Sequence, residues 1–158
     1  MSEFEEIGSE QLPPERAQRF YDRIRAKIHD YVESKGAAVE KTAEFLLLVP
    51  DVFILLWRLL NDARISSKDK VLLGSGVVYF VFPFDILPEA FLGPIGFMDD
   101  LVLAVYILNK IVVQTDMAVV RQHWSGSGDV LLMIQKVLNA ADSLVGTDLL
   151  NRIKKMVK

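Results

Sequence analysis

The chain has 158 residues, 51% of them hydrophobic, a formal net charge of −3 and no cysteine. That length suits one domain with a real core, and the charge gives no ground for nucleic-acid binding. The missing thiols exclude disulfides, thiolate catalysis and cysteine-based zinc sites. Mean hydropathy is +0.28, high for a free monomer. The surplus apolar residues need a core, a protein partner, a second copy of the chain or a membrane.

Residues 1–12 are acidic and aperiodic, which predicts a disordered tail. They lack the basic and apolar regions of a secretion signal, so the expected place of the chain is inside the cell. Pro13 and Pro14 suit the first turn of a helix. Phe20, Ile24, Ile28 and Tyr31 then form one apolar stripe, with Arg16, Arg19, Arg23 and Lys27 mostly on other faces and Gly36 closing the helix. A second helical stretch spans 39–61. Pro50 lacks an N–H and crowds the preceding turn, so a break is expected there, with Pro50 and Asp51 opening a new helix. These N-terminal helices occupy 13–49.

The next helix starts near Ser67, with Ser66 and Asp69 as a capping pair. It is expected to end at Phe82, because Pro83 disfavours helical geometry in the residue before it. Pro83, Pro88, Gly93, Pro94 and Gly96 shape a rigid connector with one short turn over 86–91. Asp99 and Asp100 open another helix, where carboxylates meet free N–H groups, and it is expected to run to His123 with Gly126 as its stop. Residues 113–158 supply the C-terminal helices. Residues 125–128 read as a flexible linker, Asp129 as the cap of a helix to Ser143, and 148–157 as a final amphipathic helix. No alternating strand pattern occurs. The expected fold is all-α: six or seven helices in a bundle around a central apolar hairpin, residues 50–112, with a Pro/Gly-rich acidic connector.

The run from 50 to about 111 contains Pro50-Asp51, Arg58 with Asp62 and Arg64, Lys70, Tyr79, the block Pro83-Phe84-Asp85-Ile86-Leu87-Pro88-Glu89, Gly96, and Asp99-Asp100-Leu101. The ordered pair P-x-D-x-x-P-[DE] and G-x-x-D-D resembles the YkvA-like family, the domain of unknown function 1232, over about two fifths of the chain. Phe84 and Glu89 depart mildly from a pattern that often has Ile and Asp there. The resemblance implies a helical hairpin found in small, often membrane-associated proteins, including some membrane-embedded ubiquitin ligases. It implies no activity.

Charged residues between Val71 and Asp100 are all acidic: Asp85, Glu89, Asp99 and Asp100. Carboxylate oxygens suit Mg²⁺, Mn²⁺ or Ca²⁺, so these four are the candidate metal ligands. The plainer reading is that they cap helices and hold the connector by accepting backbone N–H bonds. An acidic docking surface for a basic partner is a third. No segment supplies the run of about 20 apolar residues that crosses a bilayer. Residues 71–84 span roughly 21 Å as a helix. Four ionised acids in lipid would cost on the order of 10 kcal/mol. A buried bundle core and a hairpin inserted with shielding partners both stay open.

Other motifs carry less. His29 and His123 read as surface or helix-end residues. Ser125-Gly126-Ser127-Gly128 is no nucleophile elbow, and Gly74-Ser75-Gly76 no phosphate loop; close helix packing explains the latter. Trp57 and Trp124 read as core or bilayer-interface residues. In the last helix Leu149, Leu150, Ile153, Met156 and Val157 form an apolar stripe, and Arg152, Lys154, Lys155 and Lys158 a basic face. That composition fits a membrane-surface or partner-binding helix, or one packed on the bundle. The sequence therefore points to a protein without enzymatic chemistry or cofactor. Its expected role is that of an adaptor or assembly protein on the cytoplasmic face of a membrane, with a protein partner or a homo-oligomer. The alternatives are a divalent-cation-binding protein or enzyme that uses the acidic connector, and a soluble self-assembling bundle.

Overall fold

The computed structural model describes residues 14–35, 40–86 and 97–157. Every regular element among them is helical: α1 (Pro14–Lys35), α2 (Glu40–Leu46), α3 (Val49–Leu60), α4 (Ser67–Ile86), α5 (Phe97–Val112), α6 (Met117–His123), α7 (Val130–Val145) and α8 (Thr147–Val157). The expected all-α bundle is therefore present. The acidic tail, Gly36, the stretch 87–96 with its expected short turn, and Lys158 lie outside the described residues.

Two helices share the centre. In α5 the consecutive residues Leu101, Val102, Leu103, Ala104 and Val105 are all buried, as are Val52, Phe53, Ile54, Leu55 and Leu56 in α3. A helix apolar on every side must be surrounded. Accordingly, α5 packs against α2, α3, α4, α7 and α8, and α3 against α1, α4, α5 and α6. The break before α3 falls where Pro50 demands it: α2 stops at Leu46, and Pro50 sits in the first turn of α3, where its missing N–H is no loss. Asp51, beside it, accepts a 2.9 Å hydrogen bond from the Tyr21 hydroxyl and so ties α1 to the start of α3. Burial, and then this bond, push the Tyr21 phenol above its ordinary range.

Three rings thread the core. Phe20 of α1 lies 4.6 Å from Phe53 of α3, centroid to centroid, and Phe53 lies 5.5 Å from Phe80 of α4, edge to face. The α4–α5 hairpin is antiparallel: Gly76 faces Ile107, and Tyr79 lies in the field of Asp99 and Asp100. A Cβ at Gly76 would stand 3.0 Å from Leu56 Cδ1 and 3.1 Å from Ile107 Cδ1. Glycine thus lets α4 approach α3 and α5 together, which is the close packing expected of Gly74-Ser75-Gly76.

Three local expectations are corrected. Helix α4 does not end at Phe82 but continues through Pro83 to Ile86. A proline inside a helix removes one backbone hydrogen bond, a loss of about 3 kcal/mol, and packing on both α3 and α5 outweighs it. The helix from Asp99 does not reach His123. It stops at Val112, and α6 restarts at Met117 because the Asp116 carboxylate accepts from the Ala118 N–H at 2.9 Å, a strong new N-cap. Gly126 is therefore not its stop; a Cβ at Gly126 would strike the Trp124 ring, so the loop lies directly against that indole. Finally, Asp129 precedes α7 without capping it, because its Oδ1 accepts instead from Arg121 Nε at 3.3 Å.

Candidate functional site

At the connector end of the hairpin, the first turn of α5 carries Asp99 and Asp100, and Tyr79 of α4 stands near both. Asp100 is only 7% exposed. Burial, and then the neighbouring Asp99 charge, push its carboxyl well above the usual range; burial alone raises Asp99. Burial, followed by the Asp100 and Asp99 charges, raises the Tyr79 phenol. No hydrogen bond to the carboxylate of either occurs among the described residues. The side chains of Pro83 and Asp85, and all of Pro88, Glu89 and Gly96, lie outside the described residues. Among the described residues no group of three His, Cys, Asp or Glu side chains is placed to hold a metal ion.

At the opposite end, Asp62 in the α3–α4 turn gathers a polar clasp. Its Oδ1 accepts from the Arg64 backbone N–H at 2.8 Å and from Arg64 Nε at 3.0 Å; its Oδ2 accepts from Arg64 Nη2 at 2.7 Å. His123 Nε2 also lies 2.7 Å from Oδ2. The Arg64 bonds, and after them the His123 ring, hold the Asp62 carboxyl well below its ordinary range. Arg64 Nη2 donates further to Gln122 Oε1 at 2.8 Å, and Arg58 Nη1 to the His123 carbonyl at 3.0 Å. The clasp thus pins the end of α6 onto the α3–α4 turn. Arg58, Asp62 and Arg64 were visible in the sequence pattern as polar residues ending an apolar helix. Arg58 and Asp62 meet at His123, 61 residues away from Asp62, and no local spacing reports such a contact.

In α8, Leu150, Ile153 and Val157 are buried against the bundle, while Arg152, Lys154 and Lys155 are exposed. Met156, 59% exposed, leaves the apolar stripe and joins the outer face. Lys110 Nζ, in the last turn of α5, donates to the Val157 carbonyl at 2.7 Å and fastens the end of α8.

Residues 69–106 match the family model described as "Protein of unknown function (DUF1232)". The chain is also similar to "Uncharacterized protein ORF9" of Methanothermobacter thermautotrophicus, 24% identical over 98 residues, which cover 62% of this chain and 67% of that protein. No solved structure matches it.

Proposed function

We propose, from the premise that residues 69–106 are a DUF1232 segment, that this chain is a non-enzymatic adaptor or assembly protein on the cytoplasmic face of a membrane. One observation carries the reading: α8 spends its apolar stripe on the bundle and turns Arg152, Lys154 and Lys155 outward with Met156 among them. A rigid cationic face of this kind suits anionic headgroups. Each such residue near a charged leaflet contributes about 1 kcal/mol, so three give roughly 3 kcal/mol, a weak and salt-sensitive attachment. Stable residence then calls for a second contact, from a protein partner or from further copies of the chain. No helix of the described residues is long and apolar enough to cross a membrane, so attachment in this reading is peripheral.

Vesicle co-sedimentation tests it. The protein should pellet with phosphatidylserine-containing vesicles, stay in solution with phosphatidylcholine alone, and be released by high salt. Reversing Lys154→Glu and Lys155→Glu together should weaken binding about tenfold or more, since two favourable contacts become repulsive. Equal recovery with both vesicle types, or no effect of the reversal, would overturn the reading.

A second reading, a divalent-cation site at the connector end, is favoured by one observation: buried Asp100 stands beside Asp99 with no hydrogen bond to its carboxylate among the described residues. Ionised carboxylates without partners are costly in a protein interior, and a hard cation would relieve both. Calorimetric titration with Mg²⁺, Mn²⁺ and Ca²⁺ should give saturable heat that Asp99→Asn abolishes. The absence of heat from all three ions ends the idea.

A further inference from the structure

A cleft of about 380 Å³ opens where the α3–α4 turn meets the α5–α6 turn, at the clasp end of the hairpin and far along α4 from Tyr79. It is lined by Arg64, Ser66, Asp69, Gln114, Thr115 and Asp116, with Val119 beside them. Asp69 is the unusual member. It is 3% exposed, and among the described residues nothing donates to its carboxylate; only its backbone N–H is engaged, by Ser66 Oγ at 3.2 Å. No fully enclosed side-chain oxygen or nitrogen lacks a partner among the described residues, so the residual access of the Asp69 carboxylate is to the cleft it lines. Asp116, on the facing turn, spends Oδ1 on the Ala118 N–H and keeps Oδ2.

Arg64 lines the same cleft and its charge reaches Asp116, so it offsets part of this negative charge. Its guanidinium is already forked onto Asp62 and bonded to Gln122. The cleft therefore presents two carboxylates, two hydroxyls and the Gln114 amide against one guanidinium whose hydrogen bonds go to Asp62 and Gln122, which leaves it an excess of negative charge. Buried carboxylates are stable when a cation meets them. A bare metal ion is a poor match, since only two carboxylates line the cleft and the volume far exceeds an ion. That volume lies instead in the range of sites for small organic groups.

We propose that this cleft binds an alkylammonium group, with Asp69 and Asp116 accepting its N–H donors and Ser66, Thr115 and Gln114 taking the remainder. The ammonium can belong to a free small amine or to a lysine side chain of a protein partner. The recognition chemistry is the same, and the test separates the two. It is independent of α8 and of any membrane.

The isotope-labelled full chain is titrated, at constant ionic strength, with n-butylammonium and with tetramethylammonium. The first has N–H donors; the second has equal charge and none. The expected result is saturable movement of the Ser66, Asp69, Thr115 and Asp116 amide resonances with n-butylammonium only. Asp69→Asn, which keeps the shape and removes the charge, should weaken it about tenfold or more, as loss of a charge-assisted hydrogen bond predicts. The comparison of the two cations needs no variant, so it stands even if Asp69→Asn folds poorly. A short blocked lysine peptide binding more tightly than 1,4-diaminobutane assigns the source to a partner's lysine; the reverse order assigns a free amine. No saturation, equal movement with both cations, or movement of these resonances with Mg²⁺ alone would each overturn the proposal.

Discussion

Phe53→Ala is expected to lower the free energy of unfolding by about 3–5 kcal/mol, a large part of the ~5–15 kcal/mol that holds a typical domain together. Phe53 is completely buried in α3 and lies between Phe20, tilted against it, and Phe80, edge to face. Its ring is thus the shared contact of three helices from distant parts of the chain. Removing it loses the transfer free energy of the ring and leaves a cavity that three rigid helices cannot collapse to fill. Urea denaturation followed by circular dichroism measures the loss. Phe53→Leu, which keeps most of the volume, should cost clearly less. Equal effects from the two substitutions would show that the ring contacts, rather than the filled space, carry the stability.

Asp100→Asn is expected to do the opposite and stabilise the protein at neutral pH, by on the order of 1 kcal/mol, because it removes one of two like charges from a buried site. Burial and the Asp99 charge raise the Asp100 carboxyl in the folded state, whereas in the unfolded chain it titrates near 4. Between those two values the folded state binds more protons than the unfolded state. Stability contributed here is therefore greatest at low pH and declines as pH rises through that window, then levels off. Asn abolishes this decline and should leave a flatter profile in metal-free buffer. Asp62 works in the reverse sense: Arg64 and His123 depress its carboxyl, so its contribution is present above about pH 4 and is lost in acid. Unfolding curves across pH separate the two. A profile unchanged by Asp100→Asn would mean that the carboxyl finds a partner when ionised.

The two carboxylates show how one residue type takes opposite roles. Asp62 and Asp100 both lie next to the ends of apolar helices. Asp62 meets a guanidinium and an imidazole, while Asp100 meets another acid and a phenol. The two carboxylates are therefore electrostatically unlike: Asp62 is neutralised by its neighbours, whereas Asp100 at the connector end stands beside a like charge.

Much of the architecture was legible in the residues alone. The apolar runs around Phe53 and Val102 demanded burial on all sides, Pro50 demanded a break, and Ser66 a cap. These features act within one or two turns of chain, where backbone sterics and local hydrogen bonding decide. Periodicity likewise revealed that α8 has one apolar and one basic face, but not that Leu150, Ile153 and Val157 would be spent on the bundle. Only tertiary packing decided that, and it also carried α4 past Pro83 against the local preference of the residue before proline. The break at 113–116 depended on whether Asp116 would leave the helix to cap the next one, a contest of near-equal local terms. The His123–Asp62 contact and the Asp69–Asp116 cleft join turns far apart in sequence. Spacing along the chain carries no trace of such pairs, because they exist only once α3, α5 and α6 have been packed side by side.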